Sequence, residues 1–157
     1  MKKYDAVIIG FGKGGKTLAG KLAGQGKKVA MIEKDAGMYG GTCINVGCIP
    51  SKSLVRSSGL AFNKKEASPE ERAADYEAAI DEKRRLTAML REKNFRKLDD
   101  LDNVDVFNGT ASFVSNTVVE VKTALETFEI EGEKIFINTG GTPVIPPIKG
   151  LEGNPYV

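Results

Sequence analysis

A glycine fingerprint between a predicted strand and a predicted helix constrains the fold of this chain most strongly. Gly10, Gly12 and Gly15 match the pattern G-x-G-x-x-G and directly follow the apolar run at 6–9, which is typical of a buried parallel strand. In this pattern the first glycine allows a tight turn, the second lets a pyrophosphate approach the backbone, and the third lets the helix pack closely on the strand. The fingerprint therefore predicts the opening of a Rossmann-like α/β fold.

A helix and a second strand complete the predicted βαβ unit. Leu18 and Leu22 mark an apolar helix face, Gly24 ends the helix, and the apolar run at 29–32 forms the second strand. Glu33 closes that strand at the offset where an acid accepts hydrogen bonds from a ribose. An ordinary βαβ turn is the alternative interpretation, but the strand, the helix and the acid together favour a dinucleotide site.

The chain has two cysteines, Cys43 and Cys48, and both follow the predicted dinucleotide site. They could be buried small hydrophobic residues, half of a metal site, a structural disulfide or a redox-active pair. The sequence contains no histidine, so a complete zinc site within one chain is not expected. We find no signal peptide and no apolar run of membrane-spanning length, which predicts a cytoplasmic protein, where disulfides are usually transient and catalytic. A redox role is therefore the favoured interpretation.

The spacing of the two cysteines places a condition on any disulfide between them. Residues five apart in a regular α-helix have Cα atoms roughly 8–9 Å apart, whereas a disulfide needs Cα atoms closer than about 7 Å. We therefore expect a distorted backbone between the cysteines, with Gly47 supplying conformational freedom. Pro50 suits the first turn of a new helix beginning near Ser51, whose N-terminus favours a thiolate. Lys52 would add to that positive field.

Two helices and a set of short strands are predicted for the rest of the chain. Residues 51–98 are mostly helical, and the second helix begins with a capping Ser68, Pro69 at the first helical position and the acid Glu71. The apolar stripe predicted on this helix consists of Tyr76, Ile80, Leu86, Met89 and Leu90. The predicted strands are 104–107, 111–114, 118–121, 127–130 and 133–137.

The charge of the chain gives no argument for a nucleic-acid partner, because the net charge is only +2. The charged residues of the second helix are typical of a solvated face with local ion pairs. We therefore expect neither a nucleic-acid partner nor a membrane partner.

Several of these motifs together resemble a known family. The glycine fingerprint, Glu33, the segment 41–52 with both cysteines, and Thr139-Gly140 are similar to the class I pyridine nucleotide–disulfide oxidoreductases, which depend on FAD. Dihydrolipoamide dehydrogenase, glutathione reductase and mercuric reductase belong to this family, and the resemblance covers residues 4–150. The segments 38–41 and 93–95 most resemble the reactive-chlorine resistance subgroup, which is often labelled mercuric reductase-like.

The resemblance implies roles for particular residues. It places FAD on the glycine turn, with Glu33 on the adenosine ribose and Asn138 where alanine is usual. It makes Cys48 the flavin-proximal thiol and Cys43 the interchange thiol that meets the substrate. No residue is expected to bind a metal as a resident cofactor. The residues expected to bind FAD are Gly10, Gly12, Gly15, Glu33, Lys34, Gly41, Thr42, Lys52, Gly109, Thr110, Ala111, Thr139 and Gly140.

The resemblance also implies an architecture and a reaction. It predicts a Rossmann-like FAD-binding domain with a parallel sheet, a helical insertion and a small antiparallel β-meander. Residues 1–150 would be the incomplete N-terminal part of this domain, and 151–157 the start of a connection to an absent nicotinamide-binding domain. In complete members, which are expected to be homodimers, electrons pass from NAD(P)H through FAD to the disulfide, and then to a small-molecule disulfide or a metal ion.

The chain alone is not expected to turn over, because the family's His–Glu pair comes from an interface domain that this sequence lacks. Two alternatives from other functional classes remain. One is a non-catalytic nucleotide-binding module, and the other is a dithiol that handles soft metal ions.

Overall fold

The computed structural model describes residues 1–142 and 144–151, so the predicted connection at 151–157 lies outside the described residues except for Leu151. Strands and helices alternate at the start of the chain, and the second half is mostly strand. The elements are β1 (Lys2–Ile9), α1 (Lys13–Ala23), β2 (Val29–Glu33), a short 3-10 turn (Ala36–Met38), α2 (Thr42–Asn45), α3 (Cys48–Phe62), α4 (Pro69–Asp99), β3 (Val104–Asn108), β4 (Thr110–Phe113), β5 (Val118–Lys122) and β6 (Thr127–Ile137).

All of these strands belong to one six-stranded sheet in the order β3-β2-β1-β6-β5-β4. The four strands β3, β2, β1 and β6 pair in parallel, and β6, β5 and β4 pair in antiparallel fashion. The predicted α/β fold, with a parallel sheet, a helical insertion and an antiparallel meander, is confirmed.

The predicted break between the strands at 127–130 and 133–137 is wrong, because β6 is one continuous strand of 11 residues. Its first half pairs with β5 and its second half pairs with β1, so β6 joins the meander to the parallel sheet. Gly132 lies at the crossing of these two pairings, and a Cβ at this position would come within 2.7 Å of the Val7 side chain. The glycine therefore lets β6 pass β1 without a bulge, rather than ending the strand.

The register of the parallel strands brings their carboxyl ends together. Ile9 pairs with Ile32 of β2 on one side and with Ile137 of β6 on the other. β2 and β3 lie on one side of β1, whereas β6, β5 and β4 lie on the other, so the strand order reverses between β1 and β6. Open α/β sheets bind their ligands at such a switch point, beyond the carboxyl ends of the strands.

The central strands β1 and β2 are buried on both faces of the sheet, which explains their continuous apolar runs. Alternate side chains of these strands enter two separate clusters, because successive side chains of a strand point to opposite faces. The cluster under the helices contains Ala6, Ile8, Phe11, Ala19, Ala23, Val29, Met31, Leu98 and Val104. The cluster on the other face contains Tyr4, Val7, Ala30, Ile32, Val119, Val121 and Ile130.

The long helix α4 packs on the sheet only near its C-terminal end. Of the predicted apolar stripe, Tyr76 is 67% exposed and Met89 is 54% exposed, so the stripe is not a buried face. The buried residues of α4 are Thr87 and Leu98 instead, and Leu98 belongs to the cluster under the helices. The stripe is therefore buried only in part, since its other members Ile80, Leu86 and Leu90 are half-buried. Within the described ranges, no helix is both long and apolar enough to cross a membrane.

The predicted start of α4 is confirmed, and it supports a test of stability. The Ser68 hydroxyl accepts from the Glu71 backbone at 3.2 Å, and the Glu71 carboxylate accepts from the Ser68 backbone at 2.7 Å. Replacing Ser68 with alanine removes one of these bonds, so we expect a loss of about 1 kcal/mol in the free energy of unfolding. Urea unfolding measures it, with Ser58→Ala on α3 as a control that should stay within about 0.5 kcal/mol. An equal loss in the control would contradict a capping role.

Candidate functional site

The glycine fingerprint forms the turn between β1 and α1, at the switch point of the sheet. Gly10 has φ +103°, a value that side chains rarely allow, and a Cβ there would lie 2.3 Å from the Asn138 carbonyl oxygen. A Cβ at Gly15 would lie 2.6 Å from the Gly10 oxygen, so α1 packs directly on the turn. Gly10 and Gly15 are therefore required by close backbone approaches, as the sequence predicts.

The N-terminus of α1 opens onto this turn without a capping side chain. Gly12 is the N-cap residue, and the first turn of the helix holds no acidic residue. The free backbone N–H groups at such an end attract an anion, and the helix dipole adds to that attraction. The bare backbone and the N–H groups of this uncapped helix end fit the pyrophosphate of a dinucleotide such as FAD.

Asn138, at the end of β6, lies against the whole glycine turn. Its backbone N–H donates to Ile9 at 2.7 Å, and its side-chain amide donates to the Gly10 oxygen at 3.1 Å. The same amide nitrogen is within 2.9 Å of the Cβ positions of Gly12 and Gly15. The sequence analysis noted Asn138 only as a departure from alanine, whereas in the structure it ties β6 to the turn.

The carboxylate of Glu33 reaches the same turn from β2. It accepts from the Phe11 backbone at 2.8 Å and from the Asp35 backbone at 3.2 Å. The Glu33 backbone oxygen accepts from Gly109 at 2.9 Å, which brings the start of β4 to the same end of the sheet. Glu33 is thus fixed beside the turn, where its carboxylate could also accept from a ribose hydroxyl.

Two of the remaining predicted cofactor residues, Thr139 and Gly41, contact the glycine turn. The Thr139 nitrogen is 3.1 Å from the Cβ position of Gly10, and Gly41 packs on Gly12, with its own Cβ position 2.8 Å from the Gly12 Cα. The other members of the predicted set are exposed or half-buried: Lys34, Thr42, Lys52, Thr110, Ala111 and Gly140. Among the described residues, no hydrogen bond or ion pair links the Lys34 or Lys52 side chain to the glycine turn.

The two cysteines lie on two helices that meet at a break. Cys43 is the second residue of α2, Cys48 is the first residue of α3, and both are free thiols. The backbone leaves the helical path at Val46 and Gly47, where the N–H groups of both residues donate to the Thr42 oxygen at 2.9 Å. The expected distortion is therefore present. Gly47 has φ −108°, so the break does not use a left-handed conformation.

The predicted helix start near Ser51 is three residues earlier in the structure, at Cys48. Pro50 lies in the first turn, as expected, and Gly47 is an N-cap residue without a side-chain bond. Cys48 is therefore at the uncapped, positive end of a helix of 15 residues. Such an end favours a thiolate over a thiol.

The two thiols act on each other. The pKa of the Cys43 thiol is raised above its ordinary value, first because it hydrogen-bonds to Cys48, then because of desolvation and the charge of Cys48. Lys13 and Lys16 of α1 act in the opposite direction. The raised pKa means that Cys43 keeps its proton to a higher pH than an ordinary thiol. A pair of this kind can be oxidised to a disulfide or can react by thiol–disulfide exchange.

A polar clamp from α4 holds the helix that carries Cys43. The Asn45 amide donates to the backbone oxygens of Tyr39 and Gly41, each at 3.0 Å. Its side-chain oxygen accepts from Arg91 Nε at 2.9 Å. The clamp fixes the backbone on both sides of the turn that leads to Cys43.

Three aromatic rings join the glycine turn to the cysteine segment and to α4. The ring centres of Phe11 and Tyr39 are 5.1 Å apart, and those of Tyr39 and Phe95 are 4.8 Å apart. Desolvation by burial raises the pKa of Tyr39, so its phenol stays neutral and accepts from the Asn108 amide at 3.3 Å. The three rings therefore pack together beside residues 39–48, the cysteine segment.

Sequence reasoning missed three residues that shape this site. Asn138 contacts the glycine turn. Arg91 contacts Asn45, between the two cysteines, and Asn94 contacts Lys16. For Asn138 a signal existed, because a polar residue directly follows a strand predicted to return to the main sheet. Asn94 lies in the segment 93–95 that the family resemblance singles out, but that resemblance gives it no role. For Arg91, which lies in a charged helix, the sequence offers no signal that separates it from the solvated face.

Comparison with known proteins decides the family. The family model described as pyridine nucleotide-disulphide oxidoreductase matches residues 4–157. The chain belongs to this family. The probable pyridine nucleotide-disulfide oxidoreductase RclA of Escherichia coli (strain K12) is 48% identical over 157 residues, which are 100% of this chain and 33% of that protein. A mercuric reductase of Lysinibacillus sphaericus is 35% identical over 159 residues, which cover 98% of this chain and 28% of the relative.

A solved structure agrees with the family assignment. The Cu(II) complex of the HOCl-induced flavoprotein disulfide reductase RclA from Escherichia coli superimposes with a TM-score of 0.83 at 47% identity. The match covers 99% of this chain and 32% of that one. The chain thus spans about a third of the length of these relatives. The resemblance to the class I disulfide oxidoreductases is confirmed, and the relatives are flavoprotein oxidoreductases.

Proposed function

We propose that this chain is the FAD-binding part of a flavoprotein oxidoreductase that reduces the Cys43–Cys48 disulfide with electrons from NAD(P)H. The single observation that carries the proposal is that the glycine turn and the cysteine pair form one continuous site. The Gly40 backbone donates to Phe11 at 3.1 Å, and Gly41 packs on Gly12. A dinucleotide on the turn would therefore extend directly beside the dithiol.

Each part of the site has a task in this proposal. The glycine turn and the N-terminus of α1 would hold the pyrophosphate, and Glu33 would accept from the adenosine ribose. The backbone at Gly109, Thr110 and Ala111 would border the adenine, while Thr42, Lys52, Thr139 and Gly140 would border the rest of the cofactor. Bound FAD would supply two-electron transfer from NAD(P)H to the disulfide.

The dithiol then carries the electrons to an acceptor. Cys43 attacks the acceptor, and Cys48, at the N-terminus of α3, remains next to the cofactor. When the acceptor is a disulfide, exchange re-forms the Cys43–Cys48 bond and releases two thiols. The names of the relatives also favour a metal-ion acceptor, since they include mercuric reductases and a Cu(II) complex. Thiolates are soft ligands that suit such ions.

We also propose that residues 1–150 form part of a larger domain and that 151–157 begin the connection to a nicotinamide-binding domain. Large apolar side chains on α3 and at the end of β6 support this view. Val55 is 72% exposed, Phe62 is 79% exposed and Ile137 is 68% exposed. Further parts of an intact protein, or a second subunit, would cover them.

A reductive titration under anaerobic conditions tests the proposed function. The intact, FAD-loaded protein should take up two more electrons per subunit than a Cys48→Ser variant, because a disulfide is a two-electron couple. Equal uptake in both proteins would support a non-catalytic nucleotide-binding module instead. Stoichiometric binding of Hg²⁺ or Cu²⁺ without any flavin-dependent reduction would support a soft-metal dithiol.

A further inference from the structure

Lys16 lies in the first turns of α1, and its surroundings are unusual for a lysine. Its side chain is half-buried, whereas Lys13, one turn earlier, is exposed. Its ammonium donates to the side-chain oxygen of Asn94 on α4. A half-buried lysine usually keeps its ammonium in water, whereas Lys16 directs its ammonium to the Asn94 side chain.

Asn94 is fixed in the orientation that Lys16 requires. Its amide nitrogen donates to the Leu90 backbone oxygen at 2.6 Å, which leaves the side-chain oxygen to accept from Lys16. The same side chain packs against Gly40, whose Cβ position is 3.4 Å from Asn94 Cγ. Asn94 therefore holds the Lys16 ammonium close to the backbone that leads into the cysteine segment.

The cysteine segment crosses the first turn of α1 at the same place. Gly40 donates to the Phe11 oxygen at 3.1 Å, and the Cβ position of Gly41 is 2.8 Å from Gly12 and 3.4 Å from the Lys13 nitrogen. Cys43 follows two residues later on α2. The thiol is thus near the helix turn that carries Lys13 and Lys16.

The charged groups that act on the pair lie on α1, α3 and α4, and the Arg91 guanidinium of α4 also lies against α2, where its Nε donates to Asn45. Cys43 is affected by Cys48 of α3 and by Lys13 and Lys16 of α1. Lys16 is affected by Cys43, by Lys97 of α4 and by Lys13. No carboxylate is among these groups. Desolvation lowers the pKa of Lys16, so the ammonium is held here against its own preference.

We propose that Lys16, held by Asn94, is the fixed cation that stabilises the thiolate of Cys43 when the dithiol reacts with its acceptor. The inference rests on the proposed role of Cys43 as the interchange thiol. Lys13 adds to the same field, but its exposed charge is free to move and is screened by solvent and salt. A half-buried ammonium without a carboxylate partner is compensated by the negative charge that forms on Cys43.

The step that Lys16 assists is an ordinary exchange reaction. The Cys43 thiolate attacks one sulfur of the acceptor disulfide, a new S–S bond forms, and the acceptor S–S bond breaks. The Cys48 thiolate then attacks the Cys43 sulfur, re-forms the Cys43–Cys48 disulfide and releases the second acceptor thiol. The protons lost by the two cysteines are taken up by the two leaving thiolates. The dithiol is oxidised by two electrons and the acceptor is reduced by two.

The pH profile of Cys43 alkylation tests the proposal in the intact protein. Iodoacetamide is the probe, mass spectrometry reads the modified residue, and a Cys48→Ser background lets Cys43 titrate alone. Lys16→Met should move the midpoint to higher pH and slow alkylation at pH 7 by at least about threefold, which corresponds to half a pH unit. Lys16→Arg should restore most of the rate because it restores the charge.

Lys21→Met is the matched control, since Lys21 is an exposed lysine in the last turn of the same helix. It should leave the profile unchanged. The unfolding midpoint of Lys16→Met should equal or exceed that of the parent protein, because an unpaired, half-buried ammonium is removed. An unshifted profile in Lys16→Met, or an equal shift in Lys21→Met, would overturn the role of Lys16. The proposed function is contradicted by a different result, namely that disulfide turnover by the intact protein does not require Cys43.

Discussion

Replacing Cys43 with serine is expected to lower disulfide turnover of the intact protein by roughly 10³-fold or more, because the covalent exchange step loses its nucleophile. Serine is nearly isosteric and Cys43 is only half-buried, so the fold should be retained. FAD binding should also be retained, because the glycine turn does not depend on the Cys43 side chain. The measurement is NAD(P)H oxidation with a small aromatic disulfide as the acceptor, together with the flavin content of each preparation.

Ser58→Ala is the control for this comparison, since Ser58 is exposed on α3, ten residues beyond Cys48. It should turn over at the parent rate. If Cys43→Ser turned over within about threefold of the parent rate, the dithiol would have no part in the reaction, because loss of an essential nucleophile has a far larger effect.

Replacing Gly10 with alanine is expected to have the largest effect on the fold. Gly10 has φ +103°, and the new Cβ would lie 2.3 Å from the backbone oxygen of Asn138. The end of β6 would have to move away from β1, and a strained φ alone costs about 1–3 kcal/mol. We expect a loss of about 3 kcal/mol or more in the free energy of unfolding, and a preparation without bound flavin. Urea unfolding and the flavin-to-protein ratio measure the two effects.

The same substitution at Gly59 is the matched control. Gly59 lies inside α3, and a Cβ at this position would meet nothing within 4 Å. Alanine is a better helix former than glycine, so Gly59→Ala should stabilise the protein by about 0.5–1 kcal/mol. If Gly10→Ala kept both its stability and its flavin, the glycine turn would not be the cofactor site.

The parts of this structure that could be predicted from the sequence are those set by local chemistry. The glycine turn follows from the fingerprint, the start of α4 from the capping box, and the break at Gly47 from the spacing of the cysteines. Glu33 could be placed because it closes the second strand at the expected offset from the fingerprint. In each case the deciding residues lie within one turn or one βαβ unit.

The parts that could not be predicted depend on contacts between distant segments. Asn138 bonds to Gly10 across 128 residues, Lys16 to Asn94 across 78, and Arg91 to Asn45 across 46. No local pattern marks a polar side chain in a solvated helix as a clamp. The continuity of β6 was missed for a related reason, because Gly132 is a strand breaker until Val7 is packed against it.

The visible absorption spectrum of the intact, FAD-loaded protein, taken before and after dithiothreitol, tests the central claim most directly. The account predicts a retained flavin band that gains a long-wavelength shoulder on dithiol reduction, because the Cys48 thiolate lies against the cofactor. Cys48→Ser should keep the band and lose the shoulder. A protein that retains no flavin, or a shoulder that persists in Cys48→Ser, would contradict the assignment of the glycine turn and the dithiol to one redox site.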